Sequence, residues 1–147
     1  MIKENKEKHL EFLQNNITRM NNCSFQMKGW MIAILSGLLA IYISSFETID
    51  GIRRGNNYLL LVGIFSTVVF WFLDSYYLQQ ERKFRGVYND VAEISKEETR
   101  NKIKPYEMPL HYYQGGKYCL LRIMFSETIC PLYFFPIVGL IIAFFLL

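Results

Sequence analysis

Apolar residues in this chain gather into three uninterrupted blocks separated by charged stretches, rather than recurring at one steady period throughout. From Gly29 to Phe46 the sequence GWMIAILSGLLAIYISSF carries no charge. At 1.5 Å per residue a helix of that length covers roughly 27 Å, close to the hydrocarbon thickness of a bilayer. A second block opens at Asn57 and runs through YLLLVGIFSTVVFWFL to Leu73. Asp74 interrupts it, and Ser75, Tyr76, Tyr77 and Leu78 extend it toward an interface. The third, Thr128 to Leu147, reads TICPLYFFPIVGLIIAFFLL with no charged side chain. The pattern predicts an all-α membrane protein with transmembrane helices over 29–46, 57–78 and 128–147 and a short loop over 47–56.

The polar segments have a different rhythm. Over 1–28, Leu10, Leu13, Ile17, Met20 and Met27 recur at three and four residue steps, broken by Ser24, as a helix burying a narrow seam requires. This predicts an N-terminal amphipathic helix that packs on the chain's own polar segment or on headgroups, with self-association as the competing use. Beyond Tyr77 no proline occurs before Pro105, and Leu78, Phe84, Tyr88, Val91 and Ile94 alternate with charges, so the second span is expected to continue as a stalk. Gly86 costs such a helix about 1 kcal/mol. The run SKEETRNKIK (95–104), then Pro105 and Pro109, predicts a helix end and a loop. Gln114, Gly115 and Gly116 mark a turn, after which Leu120, Leu121, Met124 and Phe125 share one face of a juxtamembrane helix; a hairpin about Gly115 is the competing reading. The segment 79–127 is thus stalk and linker.

Charge orients the spans. Of the 16 Lys and Arg, five precede the first span, two lie in the loop over 47–56, and nine fall between Glu81 and Glu127. The positive-inside rule then places the N-terminus and 79–127 in the cytoplasm and the C-terminus outside. Trp30, Trp71, Tyr76 and Tyr77 fall at the same inner interface, while Arg53 and Arg54 are a mild exception outside. A charged segment precedes the first apolar block, so a cleaved signal peptide is not expected. The net charge of +3 is no more than cytoplasmic loops supply.

Few residues suggest chemistry. Cys23, Cys119 and Cys130 form no CxxC, and His9 and His111 have no ligand spacing around them, so neither a metal site nor a disulfide framework is expected. No GxSxG, Walker loop or HExxH occurs, and we read a non-enzyme without a cofactor. Gly29, Ala33, Ser36, Gly37, Ala40 and Ser44 form a stripe of small side chains along the first span that admits a second helix, of the same chain or of another copy. Asp74 is the one ionisable side chain inside a span. With Gly63, Ser66, Thr67 and Phe70 on a related face it is a pore or gate candidate, against a static pair with Arg122, Lys28 or Lys117. Arg82, Lys83 and Arg85 form one basic cluster and Arg100, Lys102 and Lys104 a second. Topology and anionic lipid suffice to explain the first but explain the second less well; multiplied in an oligomer, both groups are candidates for binding a phosphate-rich ligand.

The segments SFQMKGWMIAILSGLLA (24–40) and FWFLDSYYLQQERKFRGVYNDV (70–91) resemble small bacterial membrane proteins of antiphage defence, the transmembrane effectors of Hailong-type systems. The resemblance implies a homo-oligomeric pore controlled by a nucleotide or oligonucleotide from a partner nucleotidyltransferase, depolarising the infected cell. Asp74 and the ERKFR segment would then join gate to sensor. The rival expectation is a non-conducting membrane subunit that anchors or recruits a soluble partner.

Overall fold

The computed structural model describes residues 2–49 and 52–146, with side chains over 4–46 and 55–146. Four α-helices dominate: α1 (Ile2–Ser44), α2 (Asn57–Val91), the short α3 (Leu120–Met124) and α4 (Cys130–Leu146). Between α1 and α2 the chain forms a two-stranded antiparallel ribbon, β1 (Glu47–Ile49) and β2 (Ile52–Arg54), with Thr48 opposite Arg53, where the sequence reads as a plain loop. Residues 95–118 are largely irregular, with 3-10 turns at Glu97–Thr99, Leu110–Tyr112 and Gly116–Tyr118.

The N-terminal seam and the first apolar block belong to one unbroken helix of 43 residues. No glycine or proline interrupts the chain before Gly29, so nothing stops propagation. The Ser45 hydroxyl caps the far end by donating to the Tyr42 carbonyl at 2.7 Å. α2 ends in a left-handed turn: Ile94 N–H donates to Asn89 O at 2.9 Å and Glu93 N–H to Asp90 O at 3.2 Å, with Glu93 at φ +63°. That position usually belongs to glycine. α4 starts at Cys130 rather than Thr128, with Pro131 in its first turn, where the missing N–H costs no helical bond. Pro136 lies inside it.

The chain divides into two compact units. Unit 1 comprises Met1–Ser24 and Ser75–Ile123. Its core is Leu13, Val87 and Tyr113, against which Phe84, Tyr88, Val91, Ile103, Met108 and Leu110 pack. Leu13 of the N-terminal seam is therefore covered by the far part of α2 and the irregular segment after it. Gly86 matters here for space as well as for propensity. A Cβ at this position would stand 2.6 Å from the Tyr113 ring and 2.7 Å from the Tyr118 hydroxyl, so only glycine lets both tyrosines reach the helix.

Unit 2 comprises Phe25–Asp74 and Met124–Leu147. Tyr42, Leu60 and Leu140 form its small core, with Leu35, Leu59, Ile64 and Phe144 around them. α1 and α2 are each long and apolar enough to cross a membrane, yet only 17% and 33% of their most apolar windows are buried. The core helix of a soluble protein would be mostly covered. Instead Ile32, Ile41, Ile43, Leu61, Val62, Phe65 and Phe72 stand exposed, as do Phe134, Phe135, Ile142 and Phe145 on α4. A surface this apolar fits contact with lipid.

Candidate functional site

Three apolar helices each contribute one polar group to a buried centre in unit 2. Asp74 on α2 is fully buried; its Oδ1 accepts from Lys28 Nζ of α1 at 2.7 Å and its Oδ2 from the Tyr133 hydroxyl of α4 at 3.0 Å. Lys28 is among the cations weighed as partners from the sequence. Trp71, one turn earlier, stacks nearly parallel on Tyr133 with centroids 6.2 Å apart and donates from Nε1 to the Met124 carbonyl at 3.0 Å. An aspartate in an apolar span requires such partners, because an unpaired charge removed from water costs several kcal/mol. With both oxygens engaged, the carboxylate ties α1, α2 and α4 together.

The other gate candidates divide. Gly63 is buried against Leu140 and Leu35, so the lack of a side chain serves close helix packing. Thr67 is buried and its hydroxyl donates to the Gly63 carbonyl at 2.7 Å, leaving no dangling polar group in the apolar layer. Ser66 and Phe70 are half-buried.

The small-residue stripe faces outward. Gly29, Ala33, Ser36, Gly37, Ala40 and Ser44 are all exposed, and a Cβ added at Gly29 or Gly37 would meet nothing within 4 Å among the described residues. Ser36 and Ser44 return their hydroxyls to the Ile32 and Ile41 carbonyls at 2.7 and 2.9 Å. Among the described residues no helix occupies the stripe at Gly29 or Gly37.

In unit 1 the two basic clusters border different recesses. Arg100 and Lys102 line one of about 310 Å³ with Lys6, His9, Asp90 and Glu93. Its acids are committed elsewhere. Glu93 pairs with Lys6 at 2.5 Å, and Asp90 Oδ2 accepts from Tyr113 OH at 2.6 Å and from Asn101 N and Nδ2 at 3.1 and 2.9 Å. Burial pushes the Asp90 carboxyl up, but bonds from Ser95, Tyr113 and Asn101 outweigh it and hold it below the usual range. Burial, and then Asp90 itself, raise the Tyr113 phenol. Arg100 donates to the Glu93 and Ser95 carbonyls at 3.2 and 3.0 Å, while its Nε is buried without a partner among the described residues. Arg82 and Arg85 line a second recess of about 220 Å³. Lys83 and Lys104 line neither.

Sequence reasoning missed Tyr133, Lys6, His9, Asp90 and Asn101. Tyr133 sits in an apolar run where tyrosine reads as one more aromatic; the unmet need of Asp74 was the signal that could have found it. Among the described residues no group of three His, Cys, Asp or Glu could hold a metal ion. Comparison with protein-family models, curated proteins and solved structures finds no match to this chain.

Proposed function

We propose that the chain is a three-span protein of the bacterial cell membrane, N-terminus inside, that assembles into a homo-oligomeric pore of antiviral defence. A cytoplasmic nucleotide-derived or oligonucleotide signal gates it, and conduction depolarises the cell. The observation that carries self-assembly is the exposed stripe from Gly29 to Ser44, uncovered at Gly29 and Gly37 by any described residue, in a surface fit for lipid. α4 supports a third span: its 17 residues reach roughly 25 Å, and Phe134, Phe135, Ile142 and Phe145 stand exposed on it. The recess beside Arg100 and Lys102, where Glu93 is paired with Lys6 and the Asp90 carboxylate is occupied by Tyr113 and Asn101, supports an anionic ligand in unit 1. The defence role rests on the resemblance of 24–40 and 70–91.

Expression in bacterial cells carrying a membrane-potential dye tests this reading, with disulfide trapping of an Ala40→Cys variant as the readout of assembly. Cross-linked multimers together with depolarisation support it; monomers at every expression level reject it. The burial of Asp74 between Lys28 and Tyr133 favours a second reading, a non-conducting subunit that recruits a soluble partner, because a sealed carboxylate lines no path within one chain. Multimers that never depolarise the cell, with a stoichiometric soluble protein co-purifying, would select that reading.

A further inference from the structure

The recess bordered by Arg82, Arg85, Gly86, Asn89, Lys117 and Tyr118 has a construction that the pore reading does not use. Two hydrogen bonds clamp the 117–118 backbone onto α2, and the space at Gly86 takes the Tyr118 side chain. Gln79 Nε2 donates to the Tyr118 carbonyl at 2.8 Å, Arg82 Nη1 to the Lys117 carbonyl at 3.4 Å, and the missing Cβ of Gly86 admits the Tyr118 hydroxyl. Lys117 lies across its neighbour's ring, Nζ 5.1 Å from the Tyr118 centroid. Folding therefore brings Lys117 beside Arg82 from 35 residues away in sequence.

Charge is left over there. Arg85 is neutralised by Glu81, one helical turn before it. Among the described residues no carboxylate stands within ion-pair distance of Arg82 or Lys117. Two cations fixed on one wall repel each other unless an anion joins them. The same unit indicates which anion. Tyr76 and Tyr77 form the aromatic pair typical of a membrane interface. Arg82 follows Tyr77 by about 7 Å along the same helix. Leu121, four residues after Lys117, is 64% exposed with Arg122 beside it, the mixture that settles among headgroups.

We propose that this recess binds the phosphate of an anionic phospholipid, with Arg82 and Lys117 as its cations and Asn89 as a neutral donor. This assignment rests on the membrane reading of the previous section but not on conduction. The lipid would brace the 117–118 segment against the stalk where the chain leaves the bilayer.

The full chain, reconstituted in nanodiscs of phosphatidylglycerol and phosphatidylcholine, is extracted and its retained lipid counted by native mass spectrometry. The wild type should keep phosphatidylglycerol selectively, and Arg82→Gln with Lys117→Gln should lower retention about 30-fold, two surface charges at the usual worth of each. Lys117→Gln alone, at an exposed position, should lower it about five-fold without disturbing the fold. Arg100→Gln with Lys102→Gln, at the other recess, should leave it unchanged. Equal retention by wild type and the Lys117→Gln variant overturns the proposal. So does displacement of the lipid by millimolar inorganic phosphate or nucleotide, which would make this a site for soluble phosphate. A chain that never enters the nanodisc overturns the membrane reading and this inference together.

Discussion

Lys28 and Asp74, 46 residues apart in sequence, meet at 2.7 Å with the carboxylate fully withdrawn from solvent. The pair is asymmetric: the Lys28 side chain keeps 27% of its exposure while that of Asp74 keeps none. Removing the lysine therefore takes the cation from a buried carboxylate, whereas removing the aspartate leaves a cation that is partly exposed to solvent. Lys28→Ala should destabilise the protein by about 3 kcal/mol and Asp74→Ala by less. Tyr133→Phe, which deletes one hydrogen bond and keeps the ring stacked on Trp71, should cost about 1 kcal/mol. Thermal unfolding in detergent reads all three.

Gly37→Leu separates folding of one chain from association of several. The position opens onto empty space, so a larger side chain should leave unfolding within about 0.5 kcal/mol of wild type. It should at the same time reduce the multimer fraction by an order of magnitude, since small-residue helix contacts depend on close backbone approach. Light scattering of the detergent complex checks the second effect.

Gly86→Ala is the opposite case. The gain in helix propensity, about 1 kcal/mol, is outweighed by overlap with Tyr113 and Tyr118, and the net loss should be about 1 to 2 kcal/mol. Hydrogen exchange should quicken around 113–118 first.

Acid should loosen the N-terminal helix before it unfolds the rest. His9 is 2% exposed, and because a carbonyl can only accept, its Nε2 carries the proton donated to Glu107 O at 3.0 Å. Burial pushes the imidazole below its ordinary value, and the bond to Glu107 only partly offsets this. The unfolded chain then binds more protons than the folded one, so stability is complete above the unfolded value near 6.5 and falls as pH drops below it. Protection of residues around His9 in hydrogen exchange should decline between pH 7.5 and 5.5. His9→Gln should abolish that decline. The Asp90 carboxylate, held low, adds a separate loss only as pH falls below about 4.

The apolar helices were legible because a charge-free run of bilayer length has few other uses, and the spacing of Leu10, Leu13 and Ile17 showed which side of α1 is covered. Asp74 announced its need for a partner but not its choice among Lys28, Lys117 and Arg122. That choice depends on where α1 crosses α2, which periodicity does not encode. Gly86 could be priced as a helix residue, yet its use as a landing site for two tyrosines comes from the 95–118 segment. The irregular turns there follow no period. The left-handed Glu93 was invisible for a related reason: a helix closing on a non-glycine residue is allowed by tertiary contacts, here including the pair with Lys6. The outward direction of the Gly29 to Ser44 stripe likewise needed the neighbouring helices in place.

Ion flux through proteoliposomes tests the central claim most directly. Wild-type and Gly37→Leu chains, reconstituted at equal density and shown by protease protection to be inserted with one orientation, are compared by dye-reported dissipation of a potassium gradient. Wild-type vesicles should lose the gradient, with a rate rising more steeply than the first power of protein density, and Gly37→Leu vesicles should keep it. Equal flux from both proteins, or a rate strictly proportional to density, would contradict a pore assembled through the stripe on α1.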